Sequence, residues 1–248
     1  MYERVVIKVG GEAFSGKGNL GIDLGEVRVM AARISEVHNL GVQVGLVVGA
    51  GNLFRGVAGV QLGMSKEVTA HHMGMLATVV NALALQDALE TLEIPVRVMT
   101  GIEMRAVAEP YIHKRALRHL KKGRLVIFGG GMGNPFFTTD TAAALRSREI
   151  GARVMIKATK VDGVYDRDPQ QVREAVPFTH LSFADAIGKR VGVIDGTALT
   201  MCREADMPIV VVNLWQEGSL VKAVQGKPVG RGVSIRKSWW LRACPVRP

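Results

Sequence analysis

Lys8 interrupts an otherwise apolar run, Val5-Val6-Ile7-Lys8-Val9, and Gly10 and Gly11 follow at once. An ammonium buried without a partner is costly, so a lysine in that place points to chemistry. Three more glycine-bearing corners follow apolar runs. Gly49-Ala50-Gly51-Asn52-Leu53-Phe54-Arg55-Gly56 comes after Val44–Val48, and Gly129 to Asp140 after Leu125–Phe128. The last is Lys157-Ala158-Thr159-Lys160-Val161-Asp162-Gly163-Val164-Tyr165, which closes the run begun at Val154. Glycines let the backbone approach an anion and present its N–H groups. Thr138 and Thr139 stand where a helix should begin, a place that attracts negative charge. Asp140 adds a carboxylate that could orient a lysine or hold a metal ion; Thr139 or Asp140 could equally be a plain helix cap. Lys8, Arg55, Asp140 and Lys160 together would line a cationic, glycine-rich trough suited to polyphosphate.

The elements that must position these groups alternate along the chain. Strands are expected near 4–9, 43–48, 96–99, 124–128, 153–157 and 209–213. Helices are expected near 23–39, 68–91, 111–122, 139–150, 182–190 and 196–206. Such alternation implies βαβ crossovers and an α/β fold, a three-layer α/β/α sandwich around a mainly parallel sheet. In such a sheet the loops at the carboxyl ends of the strands gather along one edge, where ligands bind. Residues 1–235 read as a single two-lobed domain. Residues 230–235 could form a last strand, and 236–248 read as a basic tail expected to be disordered, with Trp239 and Trp240 exposed.

The bulk numbers exclude several classes. The 248 residues, 48% hydrophobic and 22% charged, are those of a soluble globular protein. No apolar run reads as long enough to cross a bilayer, and Met73–Leu85 reads as a buried or interface helix. Two cysteines, Cys202 and Cys244, argue against a disulfide framework or zinc site and fit a reducing cytoplasm. The net charge of +10 invites nucleic acid, yet four of the basic residues fall in 236–248, where there is no acidic one. The run Lys114–Lys122 reads as an amphipathic surface helix with a cationic C-terminal end. A nucleic-acid site is therefore not expected.

Five segments in combination carry a resemblance: Lys8-Val9-Gly10-Gly11-Glu12-Ala13, Gly51 to Gly56, His72-Met73-Gly74-Met75-Leu76-Ala77-Thr78, Gly133 to Asp140, and Lys157 to Val164. From about residue 3 to 235 the chain resembles the bacterial UMP kinases (uridylate kinases) of the amino acid kinase fold. The resemblance implies Mg2+-dependent transfer of the γ-phosphoryl group of ATP to UMP, giving UDP and ADP in pyrimidine nucleotide synthesis, in the cytoplasm. It implies that Lys8 and Arg55 lie against the transferring group, that Asp140 holds Lys8, and that Asp195 organises the site or simply caps a helix. Lys8, Val9, Gly10, Gly11, Gly51, Arg55, Thr159, Tyr165 and Asp168 would meet ATP. Ala50, His71, Met132, Gly133, Asn134, Pro135, Phe136, Phe137, Thr138 and Thr139 would meet UMP. No residue is assigned to metal directly, the Mg2+ arriving with ATP.

Three positions depart from the family pattern, all toward the acceptor. Ala50 replaces a glycine and Met132 a threonine. His71 replaces an aspartate that contacts the ribose; neutral imidazole offers one acceptor nitrogen where a carboxylate accepts from two hydroxyls. Gly16, Lys17, Gly18, Asn19, Leu20 and Gly21 match a region near an allosteric GTP site, or form a plain connector. GTP activation, UTP inhibition and a homohexamer built from dimers through the helix Val68–Leu92 complete what the resemblance implies. An enzyme of the same fold with another acceptor, or a nucleotide- or oxyanion-binding protein without turnover, are the rival readings.

Overall fold

The computed structural model describes the chain except residues 17–19, 62, 161–162, 166–171, 173, 177, 179, 190, 230–232 and 237–248. Asp168, Lys17, Gly18, Asn19 and the tail beyond Arg236 therefore lie outside the described residues.

In chain order come β1 (Arg4–Val9), a short 3-10 helix (Gly11–Phe14), α1 (Leu24–His38), β2 (Gln43–Val48), α2 (Gly56–Gln61) and α3 (Glu67–Glu90). Then follow β3 (Val96–Thr100), β4 (Glu109–Pro110), α4 (His113–Lys121), β5 (Leu125–Gly129), α5 (Thr139–Ile150) and β6 (Val154–Thr159). The last are β7 (His180–Ser182), α6 (Phe183–Gly188), α7 (Gly196–Glu204), β8 (Ile209–Asn213), α8 (Ser219–Val224) and β9 (Val233–Arg236). The described strands form one sheet in the order β4-β3-β5-β2-β1-β6-β8-β9-β7, parallel except where β8 meets β9. The fold is thus the α/β sandwich expected, and β9 carries the last strand one residue into the segment read as tail. The 3-10 helix, α2, α8, β4 and β7 were not anticipated. The strands among them hold two or three residues and the helices less than two turns, too short for a periodic pattern to declare itself.

Strand alternation assigns the two faces. Val5, Ile7 and Val9 of β1 enter one core layer with α1, α3 and α8, while Val6 enters the other with α5, α6 and α7. In β6, Ile156 and Ala158 join the first layer and Met155 the second. By the same two-residue period, Lys8 and Lys157 point toward the α5 layer. β1 and β6 pair in parallel with Lys8 opposite Lys157, so the two ammonium stems lie side by side at the sheet centre.

α3 corrects one expectation. By length and composition it could cross a membrane, having 24 residues and an apolar surface nearly all round. Its packing explains the composition differently: Met75, Val79, Ala82, Leu85 and Leu89 are buried, and the helix packs on β3, β5 and α1. Met73, Leu76 and Val80 stay exposed along its outward side.

Candidate active site

Asp140 sits in the first turn of α5, directly over the two lysines. Lys8 Nζ lies 2.9 Å from its Oδ1, an ion pair without hydrogen-bond alignment. Lys157 Nζ donates to its Oδ2 at 2.5 Å and also to the carbonyl of Val193. Burial opposes ionisation of Asp140, but the charges of Lys8 and Lys157 outweigh it and hold the carboxyl below the usual carboxylate range. Burial also pushes the Lys157 ammonium below its ordinary value, against the opposing pull of Asp140 and with the repulsion of Lys8. Two cations on one carboxylate leave the cluster with a net positive charge in a nearly dry setting, where it attracts an anion strongly.

The start of α5 is fixed by a double cap. Thr138 Oγ1 accepts from the amides of Asp140 and Thr141, closing the first turn. The same hydroxyl donates to Asp195 Oδ2 at 2.6 Å, and Thr141 Oγ1 donates to Asp195 at 3.0 Å. Asp195 in turn accepts from the amide of Ala198 and caps α7. It therefore combines the two parts the sequence left open: it caps a helix and organises the turn that carries Asp140.

The glycine corners meet where expected. A β-carbon on Gly11 would fall 2.1 Å from the amide nitrogen of Gly51, so the first two corners touch backbone to backbone. Asn52 and Asn81 clamp the second corner from behind. Asn81 donates to the carbonyl of Gly49 at 2.7 Å and to Asn52 Oδ1 at 2.8 Å, and Asn52 donates to the carbonyl of Gly21 at 2.7 Å. On the third corner the buried hydroxyl of Thr78 accepts from the amide of Gly130. Gly133 has φ +84, and a β-carbon there would lie 2.5 Å from the Gly101 carbonyl oxygen, so no other residue fits.

Two cavities meet at Lys8, and Thr138, Thr139 and Gly192 border both. The narrower, about 440 Å³, runs between Asp140, the C-terminal half of α6 and the first turn of α7, past Ala186, Ile194 and Leu199. The wider, about 590 Å³, is lined by the glycine corners, Ala50, Glu12, Arg55, Lys157, His71 and the segment from Met132 to Phe137. Gly133 itself, expected to meet UMP, does not line the cavity and lies against the backbone of Gly101. His71 stands on α3 with its Nε2 3.7 Å from Glu67 and its ring 4.9 Å from that of Phe136. Phe136 holds a left-handed backbone, φ 71, and both it and Phe137 are exposed at the rim.

Not every expected residue reaches these cavities. Val9 is buried in β1, and Thr159 and Tyr165 line neither cavity. Lys160, placed in the trough by its position in the sequence, instead points to the carbonyl of Ser15 at 3.5 Å and to the ring of Trp215. Lys157 takes the place assigned to it. Among the described residues of the expected effector segment, Leu20 is exposed and Gly21 is tied to Asn52. Lys157 and Glu12 stand within the sequence motifs, which assign neither of them a part. For Lys157 the signal was the one that marked Lys8, a lysine inside an apolar strand.

The profile of the amino acid kinase family matches residues 3–213. The crystal structure of a UMP kinase from Bacillus anthracis is similar to this chain at 35% identity and a TM-score of 0.89, over 96% of this chain and 97% of that one. A UMP kinase from Ureaplasma parvum is similar at 30% identity and a TM-score of 0.87, over 96% of this chain and 100% of that one. With most of its length matched by the profile and both likenesses running nearly end to end, the chain belongs to the amino acid kinase family.

Proposed function

We propose that this protein is an ATP-dependent UMP kinase that makes UDP and ADP. The observation that carries the reading is the junction of two cavities at the Lys8–Asp140–Lys157 cluster. Two phosphorylated molecules can occupy the two cavities and bring their phosphates together over fixed positive charge. The likeness to two UMP kinases supports the choice of acceptor.

In this reading the triphosphate occupies the narrower cavity and UMP the wider one, so Gly10, Gly11, Gly51 and Arg55, expected to meet ATP, border the wider cavity where the γ-phosphoryl group and the acceptor phosphate meet. A phosphate oxygen of UMP attacks the γ-phosphorus in line. The bond from that phosphorus to the β,γ-bridging oxygen breaks, and ADP departs with the electron pair. A phosphate acceptor is largely ionised at neutral pH, so no base is required, and catalysis lies in positioning and charge neutralisation. Lys8 and Lys157 face the transferring group, and Arg55 faces the acceptor phosphate. Asp140 aims both ammonium groups and favours the charged form of Lys157, while Thr138, through Asp195, fixes the turn between the two phosphates. Phe136, Phe137 and His71 offer flat faces to the nucleoside. Asp140 lies between two ammonium groups, an environment that repels a divalent cation. Mg2+ therefore fits this site as a partner of the triphosphate, where it neutralises phosphate charge.

A panel of nucleoside monophosphates supplied with Mg·ATP tests the reading. UDP formation from UMP well ahead of the other acceptors is the expected result. A different preferred acceptor, or nucleotide binding without transfer, would overturn it. GTP and UTP added to the same assay test the effector responses that the resemblance implies.

The continuous sheet from Arg4 to Arg236 supports a single domain over residues 1–235. The outward apolar stripe of Met73, Leu76 and Val80 on α3 supports assembly of copies through that helix, as expected of a homohexamer built from dimers. Leu76→Glu should reduce the assembly mass in analytical ultracentrifugation. An unchanged mass would place the interface elsewhere.

A further inference from the structure

The glycine faces of the first two corners are covered by charge. The carboxylate of Glu12 folds back over Gly10, so closely that a β-carbon there would lie 2.5 Å from its Oε1. The guanidinium of Arg55 folds back over Gly51 in the same manner, 2.4 Å from where a β-carbon would stand. The two charges face each other at 3.7 Å, Glu12 Oε2 to Arg55 Nη2. Both side chains line the wider cavity together with Lys8 and Lys157. A carboxylate thus lies against bare backbone and beside a guanidinium, the surroundings that suit a phosphate.

Charge balance gives this placement a purpose. Lys8, Lys157 and Arg55 bring three positive charges to the wider cavity, and Asp140 answers one of them. Glu12 answers a second, and its charge is among those that favour the protonated form of Lys157 against burial. Its side chain is about half exposed, at 45%, so it can leave the cavity without crossing the core. An arriving phosphate can take the same position beside Arg55 only if Glu12 moves, because two anions cannot share it at low cost.

We propose that Glu12 is a displaceable counter-ion, a positioning residue that holds Arg55 over Gly51 and gives up its place to the acceptor phosphate. The inference rests on the reading of the wider cavity as the acceptor side. Acceptor affinity is then set below what the cations alone would give, and product release is eased because Glu12 returns.

The test compares wild type with Glu12→Gln, which keeps the shape and removes the charge. KM for UMP should fall about three- to fivefold, the worth of a partly exposed ion pair, with the change on KM rather than on kcat. Binding of UMP and of inorganic phosphate, measured by calorimetry, should tighten in step. In an Arg55→Met background the same substitution should have little effect, since the competed partner is gone. An unchanged or raised KM, or tightening that persists without Arg55, would overturn the proposal. So would a tenfold or greater loss of kcat, which would put Glu12 in the transfer step. If wild type makes no UDP, the proposed function fails, yet the inorganic phosphate comparison still decides the place of Glu12.

Discussion

Asp140→Asn should abolish measurable turnover and lower the folding stability by about 3–5 kcal/mol, the usual cost of removing one partner from a buried charged pair. The amide keeps the volume but leaves the ammonium groups of Lys8 and Lys157 facing each other across neighbouring strands. Burial already lowers the affinity of Lys157 for its proton, and Asp140 is the strongest force opposing that. In the variant Lys157 therefore sheds its proton at lower pH, and any residual activity falls off earlier on the alkaline side. The acid side follows from Asp140 itself. Its folded pKa lies below the ordinary carboxylate value of 3.8, so its stabilising contribution is complete above that value. That contribution is lost as pH falls through the lower folded value. Urea unfolding of wild type between neutral pH and pH 2 should show this loss, and Asp140→Asn should lack that part of it. An asparagine variant as stable as wild type, with the same acid slope, would mean that the three charges do not form the arrangement described.

Lys8→Ala should lower kcat by about 100- to 1,000-fold while changing KM for UMP only severalfold. The range is that for removing one fixed charge or donor from a developing anion. Lys8 stands at the junction of the two cavities, where charge shifts as the phosphoryl group passes, and its interaction is stronger in the transition state than in either bound substrate. Lys157→Ala should resemble it, because both ammonium groups meet the same carboxylate. Steady-state kinetics with Mg·ATP and UMP separates the outcomes. Equal losses in kcat and in acceptor affinity would remove Lys8 from the transfer step and make it a binding residue.

The contrast between Lys8, Lys157 and Lys160 indicates how far the sequence can be read. Lys8 declares itself by breaking an apolar strand, and Asp140 by following a capping threonine. Lys157 obeys the same rule, but its partnership with Lys8 depends on the pairing of β1 with β6, strands separated by most of the chain. No local pattern fixes that register. Lys160 stands in its glycine corner much as Lys8 does in the first, yet it extends toward Ser15 and Trp215. Sequence spacing gives the corner and leaves the direction of a long side chain to tertiary packing. The layers and the parallel order followed from alternation, since regular strands and helices of five to twenty-four residues carry enough periods to be recognised. Strands of two or three residues do not, nor do helices as short as the 3-10 turn, α2 and α8. The Asp195 link is a third kind of case: an N-cap can be read from Asp195-Gly196, but its second grip, on Thr138 and Thr141, joins positions more than fifty residues apart.

That grip has a mechanical result. One carboxylate fastens the first turns of α5 and α7 to each other, with hydrogen bonds strengthened by its charge. Swinging α7 outward alone would break them, so the two helices travel as a single rigid block. Any widening of the narrower cavity then has to hinge on the α6 wall.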